Sequence, residues 1–243
     1  MRLISLSVVI PAYNEEKRLP ATLDRVEAYV RRPLFSFVEI LVVDDGSTDR
    51  TAALVRERSL ANPALKLVSN PGNRGKGYAV RNGMMAAQGE WVLFSDADLS
   101  SPIEEFEKLH REAERAGAQV AIGSRAVKGA EITVHQSSFR EWSGRFFNLV
   151  MRVLTGLPFH DTQCGFKLYH REAARQIFSR QLLDGFSFDV EDLVIAKSLG
   201  IPSIEVPVKW ANVEGTKVGM TQGLQSFADL IRIRARQLQG RYR

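Results

Sequence analysis

Trp91-Val92-Leu93-Phe94-Ser95-Asp96-Ala97-Asp98 is a short apolar run that ends in two acids one residue apart. Its length and content suit a strand buried on both faces. At the end of an extended backbone, Asp96 and Asp98 fall on the same side. Two carboxylates so placed can hold a hard, oxygen-preferring cation such as Mg²⁺ or Mn²⁺ and bridge it to a diphosphate. Helix capping by Asp98, Ser100 or Ser101 ahead of Pro102 accounts for one of the acids. It leaves Asp96 unexplained.

Similar runs lie on either side. Ser7–Ile10, Val38–Val43, Leu65–Ser69 and Val120–Gly123 read as further buried strands. Helical patterns separate them, over Glu15–Arg31, Asp49–Arg58, Gly77–Ala87 and Glu104–Ala116. This alternation predicts an α/β fold, a Rossmann-like and mainly parallel sheet with helices on both faces. Such sheets bind ligands beyond the carboxyl ends of their strands, which directs attention to the polar residues there.

After Ala126 the pattern changes. A polar stretch from Lys128 to Ser138 leads into an amphipathic helix over Phe139–Leu154, then a turn-rich segment over Gly156–Gly165. A strand over Phe166–Tyr169, helices over Glu172–Phe178 and Val190–Leu199, and a strand over Ser203–Val208 follow. The last stretch, Gln222–Gln239, is helical and basic. Neither a repeat nor a flexible linker interrupts the chain, which predicts one domain over 1–243 with a helical C-terminal elaboration.

Composition bounds the function. With 243 residues, 44% of them hydrophobic and 25% charged, the chain is an ordinary globular protein rather than a disordered or collagenous one. The single cysteine, Cys164, cannot form an intrachain disulfide, so a reducing, cytoplasmic setting is expected. The N-terminus lacks the pattern of a signal peptide, and every aliphatic run is far shorter than a spanning helix. The formal net charge of +5 is mild and selects no partner by itself.

Three other strand ends carry chemistry. The first runs into Pro11-Ala12-Tyr13-Asn14-Glu15-Glu16, where Pro11 has no N–H to give a ladder and Asn14 suits a helix N-cap. The second runs into Asp44-Asp45-Gly46-Ser47-Thr48-Asp49. Capping uses one of those acids, while adjacent Asp44 and Asp45 need partners, either within the fold or in a ligand as a sugar hydroxyl, a base or a cation. The third runs into Asn70-Pro71-Gly72-Asn73-Arg74-Gly75-Lys76-Gly77, where glycines and cations beside a helix start make an anion site. It is not a Walker A motif, because Tyr78 follows Gly77 where that motif requires Lys.

These four segments, in this order, resemble glycosyltransferase family 2, the inverting GT-A enzymes that use nucleotide-sugar donors. The resemblance covers nearly the whole chain. Gly123-Ser124-Arg125, Asp161-Thr162-Gln163-Cys164-Gly165-Phe166-Lys167, Phe188-Asp189-Val190-Glu191, and Trp210 with Val213-Glu214-Gly215-Thr216-Lys217 resemble the polyprenyl-phosphate sugar transferases within it. The likeness is greatest to the branch that glucosylates dolichyl phosphate, with the mannosylating branch a near relative. The resemblance implies transfer of a hexose, glucose from UDP-glucose above mannose from GDP-mannose, to a polyprenyl monophosphate. It divides the chain into a nucleotide-sugar half, 1–125, and an acceptor half, 126–243.

Position by position, the resemblance implies that Pro11, Tyr13, Glu15, Asp44 and Asp45 cradle the nucleoside and that Lys76 lies near the base or phosphates. Asp96 and Asp98, with Ala97 between them, hold the metal and diphosphate, Asp98 the more directly. Arg125, Arg140 and Lys217 face donor diphosphate or acceptor phosphate, and Asp189 and Glu191 line the acceptor side. Two features depart from the pattern. The mannose-transferring relatives carry an Arg near the position of Val213, and the membrane anchors of several relatives have no counterpart here.

A lipid phosphate is already anionic near neutral pH, so Asp189 or Glu191 is expected to orient rather than to remove a proton. A lipid acceptor also needs a membrane approach. Phe139, Trp142, Phe146, Phe147, Val150, Val153 and Leu154 accompany Arg140, Arg145 and Arg152, and Phe227, Leu230, Ile231 and Leu238 accompany Arg232, Arg234, Arg236, Arg241 and Arg243. Basic amphipathic helices lie on anionic membrane surfaces, which predicts peripheral attachment to a cytoplasmic membrane face. A homodimer or a membrane-protein partner would cover the same faces, and for the second helix surface or partner binding is favoured over packing on the core.

Two rivals stand apart. A nucleotidyltransferase would release pyrophosphate instead of nucleoside diphosphate, and gives no account of the motifs at Asp161–Lys167 and Phe188–Glu191. A basic module that binds nucleic acid without catalysis would leave Asp44, Asp45, Asp96 and Asp98 to repel phosphates, so no nucleic-acid partner is expected.

Overall fold

A computed structural model describes residues 3–134, 148–212 and 220–243. Strands and helices alternate through the first half: β1 (Ile4–Ala12), α1 (Leu19–Val30), β2 (Phe35–Asp44), α2 (Thr51–Ser59), β3 (Leu65–Ser69), α3 (Lys76–Ala86), β4 (Trp91–Ser95), α4 (Glu105–Ala116) and β5 (Val120–Ser124). Then come β6 (Glu131–Val134), α5 (described over 148–155), β7 (Phe166–His170), α6 (Arg171–Phe178), α7 (Phe188–Ser198), β8 (Ser203–Pro207), β9 (Lys209–Ala211) and α8 (Met220–Leu238).

Seven strands form one sheet in the order β3-β2-β1-β4-β7-β5-β8. All neighbours pair in parallel except β7, which runs antiparallel between β4 and β5. Period-two alternation feeds two cores. Val9, Leu41, Val43, Val92 and Phe94 face one side, with Ala79, Met84, Ile177, Leu193, Leu230 and Ile233 of the covering helices. Leu6, Val8, Ile10, Ile40, Val42, Trp91 and Leu93 face the other, under Leu19, Leu23, Phe106 and Leu109 of α1 and α4. Helices on both faces are what continuous apolar strands require.

The register sets the site. Val9 pairs with Phe94, and Ala12 pairs with Asp44. The carboxyl ends of β1, β2 and β4 therefore lie side by side. Ser95 pairs with Phe166, which brings the chain entering β7 against the end of β4.

Three local expectations are corrected. α1 begins at Leu19, not near Glu15, because Asn14 takes φ +53° and turns its side chain away. Asn14 Oδ1 accepts the N–H groups of Thr48 at 2.8 Å and Asp49 at 3.4 Å, so it braces the loop after β2 instead of capping α1. The polar stretch after Ala126 contains β6, which pairs with β9 in a separate two-stranded ladder. α8 is not a detached surface helix. Leu230 and Ile233 are fully buried and Tyr242, just beyond it, is nearly so, while Ile231 and Leu238 face outward.

Candidate active site

The loops after β1 and β2 are tied to one another. The N–H of Asp45 donates to Ala12 O at 2.9 Å, that of Asn14 to Ser47 Oγ at 3.0 Å, and that of Glu15 to Thr51 Oγ1 at 2.8 Å. Asp44 Oδ1 accepts the N–H of Ser47 at 3.2 Å. Pro11 and Ala12 are buried, and Tyr13 is partly exposed beside them. Asp45 is nearly buried and fixes the glycine-rich loop. It accepts from Asn70 Nδ2 at 2.8 Å, Arg74 N at 3.1 Å and Gly75 N at 2.7 Å. These three donors explain an acid that the sequence left without a structural partner.

The end of β4 carries the two acids into the open edge. Ala97 is buried, and its carbonyl accepts the hydroxyl of Thr22 on α1 at 2.6 Å, which pins the backbone between Asp96 and Asp98. Asp98 Oδ1 accepts the N–H of Ser100 at 3.0 Å. α4 starts only at Glu105, so Asp98 closes its own turn and caps no helix. Leu99 sits at φ +47°, a strained region for a bulky side chain, immediately after Asp98. The two non-glycine residues with positive φ among those described, Asn14 and Leu99, both lie at this edge.

Lys76, at the first turn of α3, reaches across to Asp96, with Nζ 2.7 Å from Oδ1. Burial works against the Lys76 charge, but Asp96, Asp189 and Asp98 outweigh it and hold its pKa above the ordinary lysine value. Burial raises the Asp96 pKa, with Lys76 acting in the opposite direction. Arg18 is a further cation here. Its guanidinium meets Glu15 through Nε at 2.7 Å and an NH2 group at 2.6 Å. That hydrogen bond, ahead of the charges on Asp98 and Asp96, raises its pKa.

Just after β5, Arg125 Nε is 2.7 Å from Asp161 Oδ2 and its NH2 2.8 Å from Oδ1, with the guanidinium 5.1 Å from the ring centre of Trp210. Burial would raise the Asp161 carboxyl, yet Arg125 holds it below the usual carboxylate range. The fully buried ammonium of Lys167 on β7 donates to Asp189 Oδ1 at 2.5 Å and to Asp192 Oδ2 at 3.4 Å. Tyr169 donates its hydroxyl to the same Asp192 oxygen at 2.5 Å. Cys164 is buried and its thiol is pushed up to about 12, so it is no nucleophile at neutral pH.

Residues 7–178 match the model of the family described as Glycosyl transferase family 2. The human dolichyl-phosphate beta-glucosyltransferase is 39% identical, over 98% of this chain and 77% of its own length. A dolichyl-phosphate beta-glucosyltransferase of Trichomonas vaginalis is 38% identical, over 93% of this chain and 69% of its own. This chain belongs to glycosyltransferase family 2. The glucosyl-3-phosphoglycerate synthase of Mycobacterium tuberculosis, solved with Mn²⁺, UDP-glucose and phosphoglyceric acid, shares the fold. Its TM-score is 0.66 at 21% identity, covering 96% of this chain and 80% of that one.

Within this family 2 enzyme, the sequence-predicted residues are placed in different ways. Asp44, Asp45, Lys76, Asp96 and Asp98 converge at the ends of β2 and β4 and the start of α3, with Asp189 close enough to act on the charges of Lys76 and Asp96. Glu15 and Arg125 are engaged by Arg18 and Asp161. Glu191 is fully buried and accepts from four protein donors, so it joins segments of the chain. Arg140 and Lys217 lie outside the described residues, as do Phe139, Trp142, Arg145, Phe146, Phe147 and the stretch from Val213.

Sequence reasoning missed Arg18, and Lys167 as the partner of Asp189. Arg18 stands three residues after Glu15 in a predicted helix, a spacing that brings opposite charges together. Lys167 in an apolar strand was the other available signal, since a buried ammonium demands a carboxylate.

Proposed function

We propose that this glycosyltransferase moves a hexose, glucose before mannose, from a nucleotide sugar to a polyprenyl monophosphate with inversion at the anomeric carbon. The observation that carries the donor site is the Asp96–Ala97–Asp98 turn at the end of β4, with Lys76 seated on Asp96. Relatives 35–40% identical over most of the chain carry the acceptor. UDP-glucose is the donor favoured here.

Asp96 and Asp98 would supply two hard oxygen ligands to a divalent cation, Mg²⁺ or Mn²⁺, with the Lys76 ammonium beside them at Asp96 Oδ1. When bound, such an ion neutralises charge on the leaving diphosphate. Lys76 adds a second positive charge there. Pro11, Tyr13, Glu15, Asp44 and Asp45 form the nucleoside side, Asp45 by holding the loop of Arg74 and Gly75. An acceptor phosphate oxygen attacks the anomeric carbon from the face opposite the donor diphosphate. The bond to that diphosphate breaks, and the nucleoside diphosphate leaves with the electron pair. The nucleophile is already an anion, so no side chain must take its proton. Lys167 fixes Asp189 beside Lys76, where it orients the site. Arg140 and Lys217 are proposed to receive the acceptor phosphate, and Arg125, braced on Asp161, the donor diphosphate.

Among the described residues, no helix is long and apolar enough to cross a membrane. We place the enzyme peripherally at an anionic, cytoplasmic membrane face, supported by exposed Ile231 and Leu238 among the arginines of α8. A donor panel decides the function: UDP-glucose and GDP-mannose, each with dolichyl phosphate and Mg²⁺ or Mn²⁺, followed by nucleoside diphosphate release and the lipid product. Glucosyl lipid from UDP-glucose is expected. Pyrophosphate release, or no lipid product from any donor, overturns the reading.

A further inference from the structure

Glu191, on α7, is fully buried, and its two carboxylate oxygens face different segments. Oε2 accepts the N–H groups of Leu182 at 3.0 Å and Leu183 at 2.7 Å. Oε1 accepts the Tyr242 hydroxyl at 2.7 Å and the Arg236 guanidinium at 3.3 Å. Arg236 is on α8, and Tyr242, 1% exposed, lies just after it. One buried carboxylate thus ties the C-terminal helix to the loop that precedes α7.

That loop in turn grips the glycine-rich segment. Gln181 Nε2 donates to Gly77 O at 3.0 Å and to Leu183 O at 2.7 Å. The Tyr78 N–H donates to Asp184 O at 3.2 Å, and Arg81 to Asp184 Oδ1 at 2.8 Å. The fit has no slack. A Cβ on Gly75 would fall 2.4 Å from Asp184 O, and one on Gly77 2.6 Å from Leu183 O. Phe186 brings its ring centre to 5.9 Å from Lys76 Nζ. The lysine between those glycines stands where this loop lets it stand.

We propose that Glu191, Tyr242 and Arg236 form a clasp through which the C-terminal helix positions Lys76 at the donor site. Glu191 and Tyr242 are positioning residues: their polar atoms face the chain's own segments. The inference rests on the reading of Lys76 and Asp96 as the donor-diphosphate site. A buried carboxylate that loses a donor is destabilised in its place, and the loop it brackets loses its register on Gly77. The effect should therefore reach nucleotide binding through Lys76 alone.

A double-mutant cycle tests this, with calorimetry of UDP and of GDP in the presence of Mn²⁺ and a circular-dichroism melt of each variant. Tyr242→Phe is expected to bind the preferred nucleotide about fivefold more weakly than wild type, a modest coupling between separated sites. In a Lys76→Ala background the same change should have no further effect. A folded Tyr242→Phe that binds as wild type, or an equal loss in both backgrounds, overturns the clasp. Should Tyr242→Phe not fold, Arg236→Gln removes the longer contact and is read in the same cycle. Wild type that binds neither nucleotide overturns instead the donor-site reading, and the clasp with it.

Discussion

Gly165 and Asp96 are packed so closely that no side chain fits between them. A Cβ on Gly165 would lie 2.0 Å from Asp96 Oδ2 and 2.3 Å from its Cγ. The Asp96 N–H also donates to Gly165 O at 2.9 Å, so the backbone cannot yield without releasing the acid's own anchor. The glycine at the entry to β7 therefore sets where the first acid of the turn can be.

Gly165→Ala should displace the Asp96 carboxylate by about an ångström while leaving the sheet intact. Misplacement on that scale costs on the order of 10²-fold in turnover. Steady-state kinetics beside a thermal melt separate the two effects. An alanine variant with wild-type turnover would show that Asp96 is not held for chemistry.

Asp98→Asn isolates charge from shape. Asparagine keeps the oxygen that accepts from Ser100, so the turn should survive. If Asp98 helps to hold a divalent cation against the diphosphate, turnover should fall by about 10²–10³-fold, the scale of a lost electrostatic contact in the transition state. EDTA should silence the wild type, and Mn²⁺ or Mg²⁺ should restore it. Full activity of the variant, or indifference to EDTA, removes the metal from the mechanism.

The sheet was legible because its strands obey a simple rule: Val92 and Phe94 enter one core, Trp91 and Leu93 the other, and a run with no polar position fits only a strand covered twice. The acids at the strand ends were legible for the same reason, being polar where the apolar run stops. What stayed hidden depends on partners far along the chain. Asp45 is satisfied by groups 25 to 30 residues on, and Arg125 by an acid 36 residues on. Asn14 caps a loop 34 residues away, which no local signature of α1 could reveal. In α8, buried Leu230 and Ile233 look no different in sequence from exposed Ile231 and Leu238.

The Lys167 cluster should make stability depend on pH. Burial pushes the Asp192 carboxyl up to about 7, with Lys167 opposing and Asp189 adding to the rise. One of its oxygens, Oδ1, is buried without a hydrogen-bond partner. The folded state thus binds this proton more tightly than the unfolded chain does. The resulting stability is complete below the ordinary aspartate pKa and is lost as pH rises through about 7. Asp192→Asn, which can still accept from Tyr169, should lack this component. Melting temperatures from about pH 5 to about pH 9 should fall more steeply for wild type than for the variant. Parallel curves would mean that Asp192 is ionised throughout.

The last prediction concerns α8, whose two sides serve different ends. Leu230 and Ile233 are fully buried, and Tyr242 reaches Glu191, so the helix is part of the folded core. Removing the chain from Asp229 onward should therefore unfold or aggregate the protein, because it empties core positions and leaves Glu191 buried without Tyr242 and Arg236. A membrane role has to be tested on the outward side instead. Ile231 is 65% and Leu238 70% exposed, with Arg232 61% exposed beside them. Apolar insertion and basic attraction would act together on an anionic surface, each cation contributing about 1 kcal/mol. Wild type should co-sediment with vesicles rich in phosphatidylserine at low salt and leave them as salt shortens the Debye length below about 10 Å. Replacing Ile231 and Leu238 by Ser should weaken vesicle binding at least ~10-fold, from the apolar area no longer buried, with unchanged melting and unchanged nucleotide affinity. Binding that survives the double replacement would assign attachment to another surface. Wild type that ignores anionic vesicles at low salt would mean that the lipid phosphate reaches the active site by delivery from a membrane-embedded partner.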